Sequence, residues 1–65
     1  MPIDDFDKRD LDDIAALVGL ERENGEDWMK FAIRVIQAFD QPLLKAQYAT
    51  TINRLVAIAG RLRQS

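Results

Sequence analysis

The chain is 65 residues long, 48% apolar and 31% charged, and contains neither Cys nor His. A domain of this size buries only about 60% of the surface its unfolded chain exposes, so it has room for one small core, and without Cys or His it has no disulfide or His/Cys metal staple to support that core. The net charge of −2 conceals a division: Met1 to Asp27 hold ten acids against three bases, and Trp28 to Ser65 hold six bases against one acid.

Apolar spacing is helical almost throughout, no alternating run supports a strand, and three helices are predicted in a single domain spanning residues 1–65. The first runs over about residues 8–19 with Asp7 as N-cap, Phe6 and Leu11 in the two staple positions, and a buried stripe of Leu11, Ile14, Ala15, Leu17 and Val18. Asp10, Asp12 and Asp13 crowd its first turns, where carboxylates meet the positive end of the helix dipole. Gly19 supplies its stop. Asn24 to Asp27 repeat the cap chemistry and open a second helix over about residues 25–39. Its apolar positions cover more than half the circumference, so it is either the centre of the fold or partly covered by another chain. Pro42 suits a first helical turn and opens a third helix over about residues 42–62. One stripe of that helix, Leu44, Tyr48, Ile52, Leu55, Ile58, Ala59 and Leu62, is core. The second and third helices are expected to pair antiparallel, with the first packed across them.

Two features go beyond a core. On another face of the third helix, Ala46, Ala49, Asn53, Val56 and Gly60 recur at spacings of 3, 4, 3 and 4, a pattern in which small side chains allow close helix approach and a single Asn can fix register. It reads as a self-association seam, set against an exposed face chosen only for helix propensity. Trp28, Met29 and Ile33 of the second helix form a candidate partner surface, since Trp and Met are favoured at interfaces; the competing reading places them in the core. Asp10, Asp12 and Asp13 are the acidic part of the partner surface, able to dock on a basic patch of a partner or on the chain's own third helix.

Other chemistries find little support. An EF-hand loop begun at Asp5 within the acid cluster of residues 4, 5, 7, 10, 12 and 13 puts Arg9 at a ligand position, Asp10 where Gly is required and Ala16 at the bidentate acid, so no metal site is expected. Without His or Cys, and with Ser65 as the only Ser, the usual neutral-pH base and thiol or hydroxyl nucleophile are missing. Gly19, Gly25 and Gly60 are too scattered for a phosphate loop. The chain is therefore read as non-enzymatic, with no cofactor and no small-molecule substrate. No run approaches the roughly 18 apolar residues of a membrane span. The acidic start lacks the features of a signal peptide and points to the cytoplasm. A first residue of Met and a capped first helix fit a complete small protein.

Ile14, Ala15, Gly19 and Leu20 resemble the first helix and turn of the bacterial helix-turn-helix family, which implies a nucleic-acid-binding regulator. The chain departs from that pattern at Gly25, where an apolar residue is expected, and Glu26 and Asp27 would repel phosphates at the start of a recognition helix. Arg54, Arg61 and Arg63 are the one basic group of note. The preferred expectation is an all-α, three-helix protein-binding module, acting as a homodimer in the manner of a small phage or mobile-element adaptor or inhibitor that occludes a larger protein target. The alternatives are the nucleic-acid regulator and a structural subunit of a larger assembly.

Overall fold

The computed structural model describes residues 5–64; Asp4 of the acid cluster and Ser65 lie outside them. The described residues are all-helical without strands, and they form four helices instead of three: α1 (Asp5–Ala16), α2 (Trp28–Phe39), α3 (Pro42–Gln47) and α4 (Ala49–Arg63).

The first helix starts earlier than the capping pattern implies. Asp7 is not a cap; it lies inside α1, 5% exposed, because it shares a core-facing stripe with Leu11, Ile14 and Ala15 at i, i+4, i+7 and i+8. Phe6 consequently points outward, 73% exposed, and makes no staple with buried Leu11. Gly19 does end the helix. With φ +72° it closes a Schellman turn, in which the Leu20 N–H donates to the Ala15 carbonyl at 3.0 Å and the Gly19 N–H to the Ala16 carbonyl at 3.1 Å. Leu17 falls in that turn, 52% exposed, and so leaves the predicted stripe.

The second helix starts three residues later than expected. Gly25 has φ +80°, a left-handed conformation unsuited to a helix start, and with Asn24 it forms a tight turn closed by the Glu26 N–H to the Glu23 carbonyl at 2.9 Å. Asp27 is the N-cap, its carboxylate accepting from the Met29 and Lys30 N–H groups at 3.1 and 3.3 Å.

The predicted third helix is broken at Tyr48, which caps both α3 and α4 with φ −117° and ψ 33°. The sequence around the break, Tyr48, Thr50, Thr51, Ile52 and Asn53, is a run of aromatic, β-branched and amide residues with weak helix propensity. The Tyr48 ring meets the buried Phe39 ring edge-on at 5.7 Å, so the break seats an aromatic pair at the end of α2.

Leu11, Ile14, Phe31, Val35, Phe39, Leu55 and Ile58 fill the core between α1, α2 and α4. The closest association is between α2 and α4, and α3 contributes no fully buried residue. Three contacts fix direction. Asp7 and Asp10 of α1 reach Arg61 and Arg54 of α4, so α1 and α4 run antiparallel. Lys8, next to Asp7, lies 5.7 Å from the Trp28 ring centroid, which brings the start of α2 to the end of α4. At the other end, Ile36 and Phe39 share a groove with Ile52 and Val56, so α2 and α4 are also antiparallel.

Candidate interaction surface

At 100° per residue, Met29, Ile33 and Ile36 follow one another along a single flank of α2 at i, i+4 and i+7. Met29 and Ile36 pack partly against the core, while Ile33 stays 42% exposed. On α4 the corresponding stripe is Ala49, Asn53, Val56 and Gly60, all exposed. Val56 is the large apolar member at 55% exposure. Between the two flanks lies an open groove of about 270 Å³, lined by Ile36, Phe39, Ile52, Leu55 and Val56 and closed at one end by Gln37, Asp40 and Lys45. Of the small-residue stripe only Val56 lines this groove, and none of Trp28, Met29 and Ile33 does; α2 contributes Ile36, one turn after Ile33.

The helix break removes one member from the stripe. Ala46 is on α3, outside the continuous register of α4, so the heptad reading holds only from Ala49 to Gly60. Gly60 has nothing within 4 Å of the position its Cβ would occupy, and its glycine is therefore not required by packing within the chain. At the groove's end, Lys45 Nζ lies 2.7 Å from Asp40 Oδ1, with both side chains largely exposed. The Lys45 hydrogen bond, reinforced by its charge, holds the Asp40 carboxyl below its ordinary pKa.

The acids of α1 divide. Asp10 faces inward and pairs with Arg54, whereas Asp12 and Asp13 are exposed. Asp7 accepts two hydrogen bonds from Arg61, from Nε and Nη2, at 2.7 Å each, and these lower its pKa against the opposing effect of burial. The acidic helix thus docks on the chain's own basic helix.

Trp28 is half-buried and carries two cations, with Arg22 4.5 Å and Lys8 5.7 Å from its ring centroid, while it meets Phe31 edge-on at 6.1 Å. The ring helps hold the 17–27 connection against the helices. That connection has a second fastening that no sequence pattern announced. Arg34 donates from Nε and Nη2 to the two carboxylate oxygens of Glu26 at 2.8 and 2.6 Å, and from Nη2 to the Glu21 carbonyl at 2.8 Å. Arg22 also donates to the Glu26 carbonyl at 2.5 Å. The Arg34 hydrogen bonds, with help from the Glu23 N–H, draw the Glu26 carboxyl from 4.5 down to about 2. A pairing eight residues apart between a loop and a helix has no periodic signature.

Also unassigned as surface from sequence were Ile36, Ile52 and Asp40. Ile52 belonged to the stripe taken as core and Ile36 to the belt read as either central or partly covered by another chain; both are partly buried and pack against the core. Among the described residues no group of three or more His, Cys, Asp or Glu side chains is placed to hold a metal ion, and no helix is long and apolar enough to cross a membrane. The connection between α1 and α2 spans residues 17–27, much longer than the three- to four-residue turn of a helix-turn-helix. Comparison with known protein families, characterised proteins and solved structures finds no match to this chain.

Proposed function

We propose that this is a non-enzymatic protein-binding module that self-associates through the α2–α4 face, and that the resulting homodimer acts as a small cytoplasmic adaptor or inhibitor that occludes a larger protein. The observation that carries the reading is the groove between two helices that Ile36, Ile52 and Val56 line, with exposed Ile33 one turn before Ile36 on the same flank of α2. Contiguous exposed apolar surface on a small domain marks an interaction site more often than scattered apolar residues do. Self-association answers the problem of size, because a second copy extends a core that 65 residues can only partly build. The ion pairs favour protein over nucleic acid as partner: two of the three arginines available for a phosphate-binding group, Arg54 and Arg61, are engaged by Asp10 and Asp7.

The test is molar mass by light scattering behind size exclusion through the micromolar range, for the wild-type chain and for Ala49→Glu and Val56→Glu. The expected result is a wild-type dimer and two monomeric variants with unchanged helical circular dichroism. A wild-type monomer at every concentration, or a dimer indifferent to both substitutions, would overturn the reading.

A further inference from the structure

Of the bases in the C-terminal two-thirds of the chain, four are engaged within the fold. Arg34 is held by Glu26, Lys45 by Asp40, Arg54 by Asp10 and Arg61 by Asp7. Among the described residues Lys30 and Arg63 take part in no ion pair, and both are exposed. Arg63 lies two turns beyond Val56 on the outer stripe of α4, and Lys30 stands on the rim of α2, one turn before Ile33. Because α2 and α4 are antiparallel, the two cations mark the same end of the apolar face. The opposite end holds Asp40, the one carboxylate after Asp27. Its Oδ1 is paired with Lys45, and among the described residues its Oδ2 has no partner.

We infer that the occupant of this face is a second copy of the chain in an antiparallel two-fold arrangement, with Lys30 and Arg63 of each copy against Asp40 of the other. This rests on the reading that the α2–α4 face self-associates, and it adds the geometry. Lys30 and Asp40 are each five residues from Val35, about 7.5 Å along the helix axis on either side. An axis crossing the helices at that level brings each cation end over the other copy's Asp40. Ile36, one residue from that level, lines the groove together with Val56, so apolar side chains meet near the axis. The alternative two-fold, with helices parallel, sets Arg63 against Lys30 of the second copy and leaves both copies of Asp40 at one end. Like charges then face each other at the Lys30–Arg63 end, and the Asp40–Lys45 pairs of both copies meet at the other, which leaves the four cations without a carboxylate and disfavours that register. A two-fold contact must be self-complementary, and only the antiparallel sense brings Lys30 and Arg63 to a carboxylate, that of Asp40, one oxygen of which is already held by Lys45.

Sedimentation equilibrium at low and at moderate salt tests the register with Arg63→Asp, Asp40→Arg and the two combined, thermal melts of each serving to establish that the fold is intact. Each single reversal is expected to weaken dimerisation about ten-fold at low salt, since every dimer contains the contact twice, and the combined variant should recover to within about three-fold of wild type. Added salt should shrink the single-variant losses. A wild-type dimer whose affinity moves less than about two-fold with either reversal, or is not recovered by the combination, would overturn the antiparallel register while leaving self-association standing. A monomeric wild type would overturn both, and would leave the face to a foreign helix.

Discussion

On the α1 side of α4, Arg54 and Arg61 are each met by a carboxylate from α1, whereas on the α2 side Ala49, Asn53, Val56 and Gly60 face outward beside an unfilled groove. One helix is thus closed along one edge and open along the other. The difference shows what the charge division of the chain accomplishes: the acidic first helix docks on the basic last helix, and this intramolecular pairing uses two of the three arginines of α4. What remains beside the groove is the apolar pair Ile36 and Val56. A perturbation on the closed edge should register in folding stability, and one on the open edge in association.

The largest effect should come from the core beneath both edges. Leu55 is fully buried, and Leu55→Ala should cost about 2–5 kcal/mol, enough to unfold much of so small a domain at room temperature. Urea denaturation followed by circular dichroism measures this. Retention of wild-type stability would mean that the two faces of α4 had been assigned the wrong way round.

On the closed edge, Asp7→Ala removes a buried carboxylate together with its two hydrogen bonds and should cost about 1–3 kcal/mol. Arg61→Ala should cost more, because it leaves Asp7 in its buried position without the guanidinium that offsets its desolvation. The asymmetry distinguishes docking from mere surface pairing, for an exposed pair would lose little and lose it equally from either side. Denaturant midpoints of the two variants decide between these outcomes.

Acid should loosen the closed parts of the molecule before the open ones. Glu26 is drawn down to about 2 in the fold, so its contribution is fully present above its ordinary pKa of 4.5 and is lost as pH falls from there towards 2. Asp7, also lowered, adds to the loss in the acidic range. Melting temperature should therefore fall as pH is lowered through 4 to 2, and Glu26→Gln should flatten part of that fall. If the slope is unchanged in Glu26→Gln, the Arg34 clasp contributes nothing to the stability of the fold.

Legibility in the sequence followed the range of each interaction. The helical class, the Gly19 stop and the buried α4 residues Leu55 and Ile58 were all legible, because 3.6-residue spacing and a left-handed glycine are local signals. Asp7 was misread because its residue type suits a cap, and only its spacing to Leu11 and Ile14 hinted at the inner stripe. The break at Tyr48 had a local hint in the weak helix propensity of Thr50, Thr51 and Ile52, but the Phe39 ring that Tyr48 meets is brought there by the tertiary fold, which no local pattern conveys. The Glu26–Arg34 clasp and the Asp7–Arg61 pair bring together residues 8 and 54 positions apart. The separated charges announced that such pairing was available, but not which partners would meet.

The smallest expected change separates the edges most cleanly. Gly60 sits inside α4 with open space where its Cβ would be. In the isolated monomer Gly60→Ala should therefore stabilise the fold by about 0.5–1 kcal/mol through helix propensity alone. In a dimer built on the α2–α4 face the same methyl group would intrude where two helices approach, so association should weaken while the melting temperature of the dilute protein rises. Opposite signs from one substitution, read by thermal denaturation and by molar mass, would give the glycine an intermolecular purpose. A stability gain with unchanged association would place Gly60 on a face that nothing covers, and the contact would then have to centre on Ile33, Ile36 and Val56 alone.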